Sequence, residues 1–270
     1  MQPLEEFPAQ VAQNLVAVLT DIDDTLTFQG QLPARAYAAL EALSEAGIPV
    51  VPITGRPAGW CDLIARLWPV AGVVGENGAF YFAYEREAKR MRRRFMATEL
   101  ERSSNRTRLH ELGQRILGAV PGAALSSDQP YRESDLAIDF CEDVPALPRA
   151  AVQRILALFA EAGATAKVSS IHVNGWFGDF DKLSMTEIFL REVLGLKLEE
   201  VREKVVFCGD SPNDAPMFGY FPHACGVANV RDFPLELSAL PAYVSSERGG
   251  AGFVQIAERI LSLRGESHRF

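Results

Sequence analysis

The chain has 270 residues, 48% of them hydrophobic, enough to bury a sizeable core in one large domain or two modest ones. A formal net charge of -8 argues against a general nucleic-acid binder, which carries a basic face. Cys61, Cys141, Cys208 and Cys225 form no CxxC pair, which excludes the usual zinc and disulfide frameworks.

The opening "MQPLEEFPAQ" is acidic and has no apolar centre, so no secretory signal is expected there. No apolar run nears the ~18 residues of a membrane span. A cytoplasmic protein is the expectation. Leu15–Thr20 reads as a short, fully buried strand, and it runs directly into Asp21, Asp23 and Asp24. Residues 33–47 read as a helix, with Pro33 suited to its first turn, Tyr37, Leu40 and Leu43 at helical spacing, and Gly47 at its end. "IPVVPIT" is the next strand, "AGWCDLIARLWP" a helix stopped by Pro69, and "AGVVGENGAFYF" a strand, a turn and a strand.

Near Tyr84 the pattern changes. A basic stretch leads to a helix around Arg108–Ala119, a strand at "SDLAIDF", a helix at "LPRAAVQRILALFAEAG" and one strand at "ATAKVSSIHV". From Lys182 the first pattern resumes: a helix, the strand "KVVFCG", a short helix after "DSPNDAP", two short strands at "HACGVA" and "AYVSS", and a last helix from about Gly252. The implied class is α/β: a doubly wound parallel sheet built from 1–83 and 182–270, with an α+β insert at 84–181.

Ligands of doubly wound sheets bind beyond the carboxyl ends of the strands, and four polar clusters fall there. They are Asp21-Ile-Asp23-Asp-Thr25, then Thr54-Gly55-Arg56, then Lys182, then Asp210 with Asn213 and Asp214. In an extended chain Asp21 and Asp23 point the same way, so both can reach one spot. The set suits phosphoryl transfer. Magnesium held by Asp21, Asp210 and a backbone carbonyl would offset phosphate charge, with Asp23 and Asp214 as further metal candidates. Lys182 would add a second positive charge, and Thr54 a hydroxyl hydrogen bond. Asp21 would attack phosphorus, while Asp23 would protonate the leaving oxygen and then deprotonate water. Asp214 serves equally well as a helix cap.

Those four pieces, DxDxT, a Thr after the second core strand, a Lys and GDxxND, resemble the haloacid dehalogenase superfamily of phosphatases. The position of the insert, and "GENGA" at Gly75–Ala79, resemble its type IIB (Cof-like) branch, which includes sucrose-phosphate and trehalose-phosphate phosphatases and phosphomannomutase. The resemblance implies that the insert is a cap that selects the substrate. Asp24 departs from the Gly of many relatives, which bears on the local turn. Asn77 fits either substrate contact or a left-handed turn before Gly78. His172, Asn174 and Trp176 alternate along a cap strand and are candidates to meet a sugar, with Arg132 and Glu133 weaker ones. The basic run 86–108 suits a solvated face or a subunit contact. The expected substrate is a small phosphate ester, most simply a sugar phosphate, with no nucleic-acid or membrane partner; the sequence leaves the oligomeric state open. A phosphomutase of the same fold, and a non-catalytic regulatory or RNA-binding module, stay as alternatives.

Overall fold

The computed structural model describes residues 1–169, 171–233 and 237–266. In chain order the first elements are β1 (Gln2–Pro3), α1 (Ala9–Gln13), β2 (Ala17–Thr20), α2 (Ala34–Glu45), β3 (Val50–Pro52), α3 (Ala58–Leu67), β4 (Val73–Gly75), β5 (Phe80–Glu85) and β6 (Arg90–Phe95). Then follow α4 (Glu99–Ala119), β7 (Ala124–Leu125), β8 (Asp135–Asp139), α5 (Arg149–Glu161), β9 (Thr165–Val168) and β10 (His172–Trp176). The chain closes with α6 (Lys182–Val193), α7 (Leu198–Val201), β11 (Val205–Gly209), α8 (Ala215–Tyr220), β12 (Cys225–Gly226), β13 (Tyr243–Val244) and α9 (Gly249–Leu263).

The central sheet is parallel, in the order β1-β13-β12-β11-β2-β3. Its inner strands are apolar throughout because both faces are covered. Val18, Val50 and Val206 pack with α2, α3 and α9 on one side, while Leu19, Val51 and Phe207 pack with α6 and α8 on the other. The chain builds outward from β2 through β3, then returns to lay β11 against the other side of β2, with Leu19 opposite Phe207. The order therefore reverses between β2 and β11, and a crevice opens beyond their carboxyl ends.

A bridge between Ile53 and Val74 carries the sheet on to β4, where β5 and β6 continue it antiparallel. The expected division at 83/84 falls inside β5. Strand β6, "RMRRRF", escapes a sequence reading because it has no apolar alternation. Its arginines pair with Glu85, Asp62 and Glu192.

The second unit is an antiparallel sheet, β7-β8-β10-β9, with α4 and α5 on one face. Leu136, Ile138 and Val173 face the helices, packing with Ile116, Ile155 and Phe159. A Cβ on Gly175 would collide with the Phe159 ring, so glycine is needed there. His172, Asn174 and Trp176 fall on the opposite face by the two-residue alternation of a strand. Two expectations are corrected. Helix α4 begins at Glu99 rather than near Arg108, because Thr98 and Glu101 form a capping box ahead of the apolar positions. Residues 164–173 are not one strand: β9 and β10 pair as a hairpin, and Ser170 between them lies outside the described residues.

Among the described residues, no helix is long and apolar enough to cross a membrane.

Candidate functional site

Three strand ends and one helix start meet at the reversal point. Asp21 follows β2, Asp210 follows β11, Thr54 follows β3, and Lys182 opens α6. The Asp21 backbone N–H donates to Cys208 O at 2.9 Å, which fixes it beside β11. Lys182 is brought down by two devices. Asp181 caps α6 through the Ser184 N–H, and Gly78 has no side chain to obstruct the Asp181 carbonyl, which a Cβ would strike.

The Lys182 ammonium donates to Asp21 Oδ1 at 2.7 Å and to Asp214 Oδ1 at 2.8 Å. Asp214 is fully buried, and its Oδ2 accepts from the Asp210 N–H at 3.1 Å. Oxygens of Asp21, Asp210 and Asp214 lie within 4.8 Å of one another. Three buried carboxylates thus share one cation, which leaves an excess of negative charge in a poorly solvated place. Burial pushes Asp21 up to about 8; Lys182 opposes this, while Asp214 and Asp23 add to it. Burial, then Asp214 and Asp21, raise Asp210 well above the carboxylate range. Burial alone would lower Lys182, but Asp21 and Asp214 outweigh it and hold it charged. An all-oxygen set with surplus charge fits a hard divalent cation such as magnesium. Both Asp214 oxygens are engaged, so Asp21 and Asp210 present the freer ones.

Asp23 does not join this cluster. Its carboxylate turns to Arg56, which donates from Nε at 3.0 Å and from Nη2 at 2.8 Å. The same guanidinium donates to Glu142 Oε1 at 2.9 Å and lies 3.5 Å from Asp128 Oδ2. The Arg56 N–H donates to Oγ1 of the fully buried Thr54. Asp24 takes a left-handed φ of 57°, a conformation that Asp tolerates better than most residues, and its N–H donates to Thr27 Oγ1. This accounts for a tight turn without glycine.

The second sheet closes over this crevice through polar contacts. Buried Arg132 donates to Asp128 and Asp135 and reaches down to the Gly55 carbonyl at 2.9 Å. Glu76 accepts four backbone N–H groups: Ala58 at 3.0 Å and Glu133 at 2.9 Å on Oε1, Ser134 at 2.6 Å and Asp135 at 3.2 Å on Oε2. Asn174 Nδ2 donates to Asp135 at 2.9 Å, and His172 Nε2 lies 2.8 Å from Glu142 Oε2. The His172 contact and Arg56 hold the Glu142 carboxyl down at about 2, against the effect of burial.

No family model and no curated protein matches the sequence. Solved structures do match, at low identity. A Thermoplasma acidophilum protein is 19% identical, with a TM-score of 0.69, covering 92% of this chain and 99% of its own. A haloacid dehalogenase-like hydrolase from Bacteroides thetaiotaomicron is 16% identical, TM-score 0.62, covering 91% and 99%. The sucrose-phosphatase of Synechocystis sp. PCC6803, solved with sucrose and phosphate, is 13% identical, TM-score 0.62, covering 92% and 98%. This chain has the haloacid dehalogenase fold. A sugar phosphatase of subclass IIB of that superfamily is also similar, at 14% identity and TM-score 0.61.

Within this haloacid dehalogenase fold, Asp21, Asp23, Gly55, Arg56, Asn77, His172, Asn174, Asp210 and Asn213 line one cavity of about 20 Å³. Thr54, Lys182 and Asp214 are buried around it. Asn77 combines both readings, since it takes a left-handed φ of 55° and still faces the cavity. Trp176 does not line it: the indole is 1% exposed and stacks on Phe180. Arg132 proves central, whereas the Glu133 carboxylate pairs outward with Arg106. Glu76, Asp128 and Glu142 escaped the sequence reading. Glu76 stood in the quoted "GENGA", and Asp128 and Arg132 are spaced four apart; Glu142 left no local signal.

Proposed function

We propose that this protein is a cytoplasmic, magnesium-dependent phosphomonoester hydrolase acting on a small phosphorylated metabolite of the sugar-phosphate class. The observation that carries the reading is buried Asp21, held by Lys182 beside Asp210 and Asp214 at the reversal point of the sheet. Phosphatases among the structural neighbours support it.

Asp21 is the nucleophile. One carboxylate oxygen forms a bond to phosphorus as the ester P–O bond breaks, giving an aspartyl phosphate and an alcohol. Asp23, in its protonated form, gives a proton to the departing oxygen and is left as the carboxylate. It then takes one from a water that attacks the aspartyl phosphate, releasing phosphate and regenerating Asp21. Arg56 holds the Asp23 carboxylate at the mouth of the site. Lys182 and the Thr54 hydroxyl bind the phosphoryl oxygens. A magnesium ion on Asp21 and Asp210, with Asp214 behind them, would neutralise charge on the transferring group. The unit of α4, α5 and β7 to β10 closes over the leaving part and excludes water.

The test is an assay of phosphate esters with magnesium. Release of inorganic phosphate as the main product is expected. Return of the phosphoryl group to the sugar would make the enzyme a phosphomutase, and no turnover with any ester would overturn the reading.

A further inference from the structure

The cations around the catalytic cavity are already matched. Lys182 serves Asp21 and Asp214, Arg56 serves Asp23 and Glu142, and Arg132 serves Asp128 and Asp135. The cavity itself, about 20 Å³, has room for little more than one water-sized group. Beside it lies a second cavity of about 70 Å³ that shares Asn77 and Asn213 with the first. Lys167, on β9 directly opposite Asn174, lines this second space together with Trp176 and Asp181. Asp181 is occupied as the cap of α6. Among the described residues, no carboxylate or hydrogen-bond acceptor engages the Lys167 ammonium.

From this we infer that the second cavity receives the leaving part of the substrate, and that Lys167 pairs there with a second anionic group. The substrate is then a short phosphate ester carrying a carboxylate or a second phosphate. The inference rests on the phosphomonoesterase reading and narrows it. Two observations set its terms. The adjoining spaces, about 20 and 70 Å³, suit a leaving part of a few heavy atoms. Of the cations lining the two cavities, Arg56, Arg132 and Lys182 already have carboxylate partners, so among the described residues Lys167 is the one placed to meet a second anionic group.

The experiment compares kcat/KM, with magnesium, for three esters of one chain length: propyl phosphate, 2-carboxyethyl phosphate and propane-1,3-diol bisphosphate. The wild-type enzyme should favour one charged ester over propyl phosphate by tenfold or more, and which one is favoured tells carboxylate from phosphate. In Lys167→Gln that ratio should fall about tenfold, the loss of one charge-assisted hydrogen bond. Lys167→Arg should retain it. Lys167 is exposed, so both variants should melt within a few degrees of wild type. Equal kcat/KM for the three esters, or an unchanged ratio in Lys167→Gln, overturns the inference while the phosphatase reading stands. Failure to release phosphate from any of these esters or from p-nitrophenyl phosphate overturns both.

Discussion

Replacing Glu76 by Gln asks how the two sheets are held together. The carboxylate accepts four N–H groups, two on each oxygen. A Gln amide keeps one oxygen and presents an NH₂ in place of the other. Whichever way it turns, two buried N–H donors face a donor, and at least one of the two belongs to residues 133–135. Burial, and then Asp135, push the Glu76 carboxyl up to about 8, so the comparison is made at pH 9, where it is ionised; hydrogen bonds to a charged group contribute about 1.5–3 kcal/mol each, and the loss is about 3–6 kcal/mol. A chain of this size loses roughly 2–4 °C per kcal/mol. Thermal denaturation followed by circular dichroism should therefore show a fall on the order of 10 °C. A fall under about 2 °C would show that those N–H groups find other acceptors, and the latch would be refuted.

Further outcomes follow from the same geometry. Asp23→Asn should slow alkyl phosphates by about 10²–10⁴ while affecting aryl phosphates less, since a good leaving group needs less proton donation; equal losses for both would make Asp23 structural only. Chelator should abolish turnover, magnesium should restore it and raise the melting temperature, and Asp210→Asn should lose that thermal response; full activity in chelator would remove the metal from the account. Glu142 is held at about 2 against an ordinary value of 4.5, so its share of stability is present above 4.5 and lost as pH falls toward 2. Glu142→Gln should flatten the acid limb of the stability curve between those values, and an unchanged limb would count against the Arg56–Glu142–His172 link.

The sequence exposes those parts of the site that are local in the chain. Asp21 and Asp210 announce themselves because apolar strands end in acids, and Lys182 because a helix opens there. The closure over the site is not local. Glu142 meets Arg56 across 86 positions, and nothing beside it predicts the contact. Strand β6 is hidden because arginines paired with surface acids replace the usual alternation. Trp176 is legible only in part, since it lines the adjoining cavity rather than the one that holds Asp21. Its alternation with His172 and Asn174 puts it on the correct face, but its bulk carries it into a buried stack with Phe180. Asp24 departs from glycine yet keeps the left-handed turn, because the Thr27 hydroxyl and the Asn229 amide hold it.

The central claim is that Asp21 carries the phosphoryl group. The direct measurement is rapid quenching of enzyme, magnesium and a turned-over ester, followed by reduction of the acyl phosphate with borohydride and peptide mass spectrometry. The account predicts that Asp21, and no other aspartate, is converted to homoserine, and that Asp21→Asn keeps the fold but loses about 10⁶ in kcat. A label on any other residue, or turnover by Asp21→Asn near the wild-type rate, would contradict it.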